Sequence, residues 1–134
     1  MGQSLVNRKT IVVFISVAVG LLHFLTGPGY GGPWPVFVNG YMIDILLPCA
    51  MYLVLGIIEG PFQLNGAARG ALVFAAGAVS ETLQFFNVPI FGQTFDPLDY
   101  LMFAAGILLG IVFERFVLSR IPAKRSPRTS IGSR

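Results

Sequence analysis

The chain has 134 residues, 54% of them hydrophobic and only 11% charged, with a mean hydropathy of +0.75. A soluble domain carries nearer a quarter charged residues, so the composition excludes one and predicts a single all-α membrane domain. The net charge of +3 and the pI near 9.4 read as topology and attraction to anionic lipid headgroups; membrane lipids are expected partners and nucleic acid is not.

Four hydrophobic stretches predict transmembrane helices at about 11–26, 41–58, 70–86 and 98–118, near the roughly 17–25 residues that a span needs. They make a four-span membrane domain over residues 1–118, in an antiparallel bundle, followed by a basic tail over 119–134 that is expected to be disordered on the membrane surface. No small-x-small cleavage site follows the first stretch, which predicts a retained helix rather than a removed signal. This stretch ends in His23-Phe-Leu-Thr26 and breaks over 27–35, where three prolines and four glycines cannot continue a helix. Tyr30, Trp34, Phe37 and Tyr41 read as an aromatic belt at the outer interface.

The second stretch carries Asp44 and, four residues on, Pro48. A proline there has no amide to bond the Asp44 carbonyl, which frees a backbone acceptor on the turn that bears a carboxylate. Cys49, the only cysteine, excludes a disulfide framework and a paired-thiol metal site. The third stretch is rich in small residues (Ala67, Gly70, Ala71, Ala75, Gly77, Ala78), which let helices approach closely and predict a central place in the bundle. It ends with Glu81 and, on the same face, Gln84. The fourth opens with Asp96-Pro97-Leu98-Asp99, which fits an N-cap, N1 and N3, and contains the small-xxx-small pair Gly106 and Gly110.

The charges sort by side. With the N-terminus inside, all nine basic residues (Arg8, Lys9, Arg69, Arg115, Arg120, Lys124, Arg125, Arg128, Arg134) lie on the inner side. Lys/Arg bias in short flanking loops sets orientation, so both termini are expected in the cytoplasm of a bacterial inner membrane. The outer side holds Asp44, Glu81, Asp96 and Asp99 with no cation beside them. Intramembrane carboxylates usually face the bundle interior and are functional. Glu81, Gln84, Asp99, Asp44 and Asp96 are therefore the candidate ligand or proton site, with His23 on the same side as a further proton partner. Two carboxylates at similar depth disfavour each other's charge in low dielectric, so one of Asp44 and Glu81 is expected to hold a proton. One histidine with carboxylates is thin for zinc, and no metal or other cofactor is expected.

The run Ser80-Glu-Thr-Leu-Gln-Phe-Phe-Asn87, then Gly92-Gln-Thr-Phe-Asp-Pro-Leu-Asp99, then a helix with Gly106 resembles the VanZ-like small membrane proteins of bacteria. The resemblance is closer to a four-span sister family of unknown function, which also has an acid near the start of its second span, matched by Asp44, and a later tyrosine, matched by Tyr52. It covers about residues 36–112 and implies that Glu81, Gln84, Asp96, Asp99 and Asp44 form one constellation with a cell-envelope role. Two positions depart from it: Gln93 stands near where VanZ-like chains often have an arginine, and Phe103 stands in place of an asparagine.

Three function classes fit. The first is a VanZ-like envelope protein whose outward acidic site binds a lipid, cell-wall precursor or drug. The second is a small proton- or cation-coupled transporter, expected as a homodimer. The third is an accessory subunit of a larger membrane complex. Hydrolytic catalysis is not expected, because Ser80 has no adjacent base to activate it.

Overall fold

The computed structural model describes residues 7–27, 29–88 and 95–121. The first helix is opened by Asn7, whose side chain accepts the Lys9 amide at 2.7 Å, a capping bond that satisfies a free donor. This helix, α1, runs Arg8–Leu25. The second, α2, runs Pro35–Gly56 and begins six residues before the hydropathy pattern suggests. The reason is Pro35, whose fixed φ suits the first helical turn and ends the broken segment instead of prolonging it. Two members of the expected aromatic belt, Phe37 and Tyr41, thus lie within the helix rather than on a loop.

Asn65 opens α3 (Gly66–Phe85) by accepting the Ala68 amide at 2.8 Å. At its far end Asn87 takes a left-handed φ of 59°, and the amides of Val88 and Asn87 bond the carbonyls of Leu83 and Gln84. This double closure is a Schellman cap. The fourth helix, α4, runs Leu98–Phe116, followed by a 3₁₀ turn over Leu118–Arg120. Asp96 accepts the Leu98 amide through Oδ1 at 2.9 Å, but the helix opens one residue later than expected, with Pro97 rather than Asp96 at its N-cap.

No strand occurs among the described residues. α1, α2 and the segment Leu98–Arg120 are each long and apolar enough to cross a membrane. α3 has 20 residues, a rise of about 30 Å, but its Arg69, Glu81 and many glycines and alanines make it less apolar. Large side chains such as Phe14, Phe24 and Leu101 stand exposed on the outside, as expected of helices in a lipid-facing protein rather than a water-facing one.

The helix at the centre is α2, not α3: it packs against all three others, and most extensively against α4, while α1 is joined chiefly through α2. The small residues of α3 are split between its faces. Ala67, Ala71 and Ala75 are exposed, whereas the glycines face α4, where a Cβ at Gly77 would collide with the Phe103 ring and one at Gly70 would touch Ile107. The tightest approach is elsewhere. A Cβ at Gly106 of α4 would collide with the backbone carbonyl of Ile45 on α2, and Gly110 seats the Tyr52 ring. The small-xxx-small pair therefore fixes the α2–α4 seam.

The expected basic tail lies outside the described residues beyond Ile121, as does Gln93 in the last outer loop.

Candidate functional site

The antiparallel course puts the acid-rich ends of α2, α3 and α4 at one end of the bundle and the arginine-bearing ends at the other. In α2 a π-helical turn over Val38–Met42 precedes Asp44, one extra residue of the kind that often marks functional positions. Tyr41, in that turn, donates its hydroxyl to Asp96 Oδ2 at 3.3 Å. A belt residue thereby becomes a link between α2 and the start of α4.

Glu81 is only 4% exposed, and its Oε2 is buried with no hydrogen-bond partner. Asp99 of α4 lies within electrostatic reach of Glu81. Ionised carboxylates are acceptor-only and repel one another, so neither can serve the other as a hydrogen-bond partner while both are charged. Asp44 lies within electrostatic reach of Glu81 and Asp96, and Asp99 within reach of all three. Gln84 is buried on the same helix face as Glu81. Asp44, Glu81, Asp96 and Asp99 thus gather at one end, and the ion pairs among the described residues, Lys9–Glu59 and Arg69–Glu114, include none of them. The arrangement can hold a proton between carboxyls or take up a positively charged group in its place. Among the described residues no three His, Cys, Asp or Glu side chains converge closely enough to hold a metal ion.

His23 does not join them. It is exposed at the end of α1, and its ring makes an edge contact with Phe24. Because α1 packs chiefly on α2, its outer end is carried away from the acidic tips of α3 and α4.

The opposite end holds a constellation that sequence reasoning missed. Arg69, near the start of α3, is 8% exposed, although its place beside a loop reads as a solvated topology marker. Its Nη2 donates to both carboxylate oxygens of Glu114 on α4, each at 3.0 Å. The buried Tyr52 of α2 donates its hydroxyl to Glu114 Oε2 at 3.0 Å, and the guanidinium lies 4.5 Å from the centre of the Tyr52 ring. Three helices meet in this knot. Gly56 makes room for it, since a Cβ there would collide with Arg69 Nη1. The signals available beforehand were Tyr52, which the family resemblance singles out, and Glu114, an acid among the arginines.

Beside the knot lies a cavity of about 400 Å³, lined in part by Arg8, Gly56, Arg69, Glu114 and Arg115. A second, apolar groove of about 340 Å³ lies where α1 and α3 flank α2, with Val19, Met51 and Leu72 among its walls. No family model, curated protein or solved structure matches this chain.

Proposed function

We propose that this chain is a VanZ-like, four-span protein of the bacterial inner membrane, with both termini in the cytoplasm. In this reading the carboxyl cluster faces outward and binds the cationic group of an envelope lipid, cell-wall precursor or drug, releasing a proton as it does so. The observation that carries it is Glu81: buried, with one oxygen unpartnered and with Asp44 and Asp99 in electrostatic reach. A carboxyl held this way near like charges gains from a cation that takes the place of a proton among them. The sorting of all nine basic residues away from the cluster supports the orientation, and the length of α3 supports the fourth span.

The test is calorimetric titration of the purified chain with an amine-bearing phospholipid, run in two buffers of different ionisation enthalpy. Proton release makes the measured heat depend on the buffer. Glu81→Gln and Asp99→Asn are expected to weaken binding and remove that dependence. Equal affinity and equal heats in wild type and both variants would overturn the reading. A proton held among carboxyls also favours a second one, a proton- or cation-coupled carrier. Vesicles containing the protein would then take up an organic cation when an outward-directed proton gradient is imposed, and Asp99→Asn vesicles would not.

A further inference from the structure

The cavity at the other end of the bundle is chemically the reverse of the carboxyl cluster. Three arginines, Arg8, Arg69 and Arg115, are among its lining residues, against a single acid, Glu114. That carboxylate is already engaged by Arg69 and Tyr52. Only one nitrogen of Arg69 is used, because Nε and Nη1 are buried without a hydrogen-bond partner. Buried polar groups are seldom left unpaired, and a guanidinium has five donors to satisfy. Arg8 spends its Nε on the Ile121 carbonyl at 3.0 Å, which positions the side chain without neutralising it. Neither Arg8 nor Arg115 is in a described ion pair.

We infer that this cavity binds a phosphate-bearing anion, held by Arg8 and Arg115 at its rim and by Arg69 from within. Guanidinium groups suit phosphate because they offer several donors in a fixed plane. The volume of about 400 Å³ falls within the range of small-molecule sites and can admit a phosphate with a glycerol or sugar attached. Basic pockets between membrane helices commonly take up lipid headgroups. The same chemistry would serve the headgroup of an anionic phospholipid or a free phosphate from solution. This site is separate from the carboxyl cluster, and its existence does not depend on what that cluster binds.

The experiment uses the full chain in a neutral detergent. One arm titrates phosphatidylglycerol and, in parallel, phosphatidylcholine, reading one-to-one complexes by native mass spectrometry. The other arm adds inorganic phosphate and reads the shift in melting temperature. Arg8→Gln and Arg115→Gln leave the buried knot intact, and each is expected to lower the affinity about five-fold, the equivalent of one basic residue near an anionic surface. Arginine-dependent binding of phosphatidylglycerol over phosphatidylcholine supports the site with a lipid source. Arginine-dependent stabilisation by phosphate alone supports it with a soluble source. If Arg8→Gln/Arg115→Gln binds both lipids as wild type does, and phosphate protects neither protein, the inference is overturned.

Discussion

The two ends of the bundle solve one electrostatic problem in opposite ways. At both, carboxyl groups are drawn among helices where charge is costly. At the arginine-bearing end Glu114 is matched by a guanidinium and a phenol supplied by two other helices. At the acidic end Glu81 has other carboxyls, Asp44 and Asp99, in electrostatic reach, and one of its oxygens is unpartnered. A guanidinium never gives up its charge in a protein, so the first arrangement is a fixed joint. In the proposed reading the carboxyls hold a proton that can leave, so the second can change state. The contrast separates a part that holds helices together from a part proposed to exchange a ligand, although both use buried polar side chains.

The joint should break hardest. Arg69→Leu leaves Glu114 without its counter-ion, and losing one partner of a buried pair typically costs about 3–5 kcal/mol. The lower end applies here, because the Glu114 side chain is 35% exposed. The double variant Arg69→Leu/Glu114→Leu removes the stranded charge and should recover most of that loss. Thermal melts of the detergent-purified proteins would measure both, and a double variant no better than the single would mean that the knot is not a charge-matched joint.

Gly106→Ala tests the seam between the two ends. Its new methyl meets the Ile45 backbone, which cannot yield as a flexible side chain does, so a cost of about 1–3 kcal/mol is expected from overpacking. Ile45 is the neighbour of Asp44, so the variant should also weaken cation binding at the acidic end, read in the same titrations.

The exchangeable end should respond less in stability and more in chemistry. Glu81→Gln keeps a hydrogen-bonding side chain and is expected to shift folding by no more than about 1 kcal/mol. In infrared spectra the wild type should show a protonated-carboxyl stretch in neutral buffer that Glu81→Gln loses. Absence of that band from the wild type would remove the difference between the ends. The smallest effect belongs to Tyr41→Phe. Its hydrogen bond to Asp96 is long at 3.3 Å, so the change should cost about 0.5 kcal/mol, with cation affinity altered less than by Asp99→Asn.

The helices and the acidic end were largely legible in the sequence. Long apolar runs broken by proline and glycine have few other solutions, and a glutamate inside such a run stands out by its cost. The bond from the Leu98 amide to Asp96 was legible because it is local chemistry, decided within three residues, although the helix boundary lies one residue later. The knot was not, because Arg69 and Glu114 are 45 residues apart and each looks like an ordinary flanking charge. Only the packing of three helices brings them together. The rank of the helices was also hidden: glycine and alanine content reports how closely a helix can approach, not how many neighbours it has. The stray position of His23 has the same origin, since the side of the membrane can be read from charge but the position around the bundle cannot.

The π turn over Val38–Met42 bears on how this chain tolerates insertion and deletion. A π turn holds one residue more than the α-helical path requires. Deleting Gly40 would return the segment to ordinary α geometry, and because the π turn already absorbs the extra residue, the helix on either side would keep its facing. Trp34 and Phe37 would stay on their side of α2, and Tyr41 and Asp44 would keep their alignment with α4. The extra residue is therefore confined to one turn, and a single codon can be lost there without re-aiming either the outer rim or the acidic cluster.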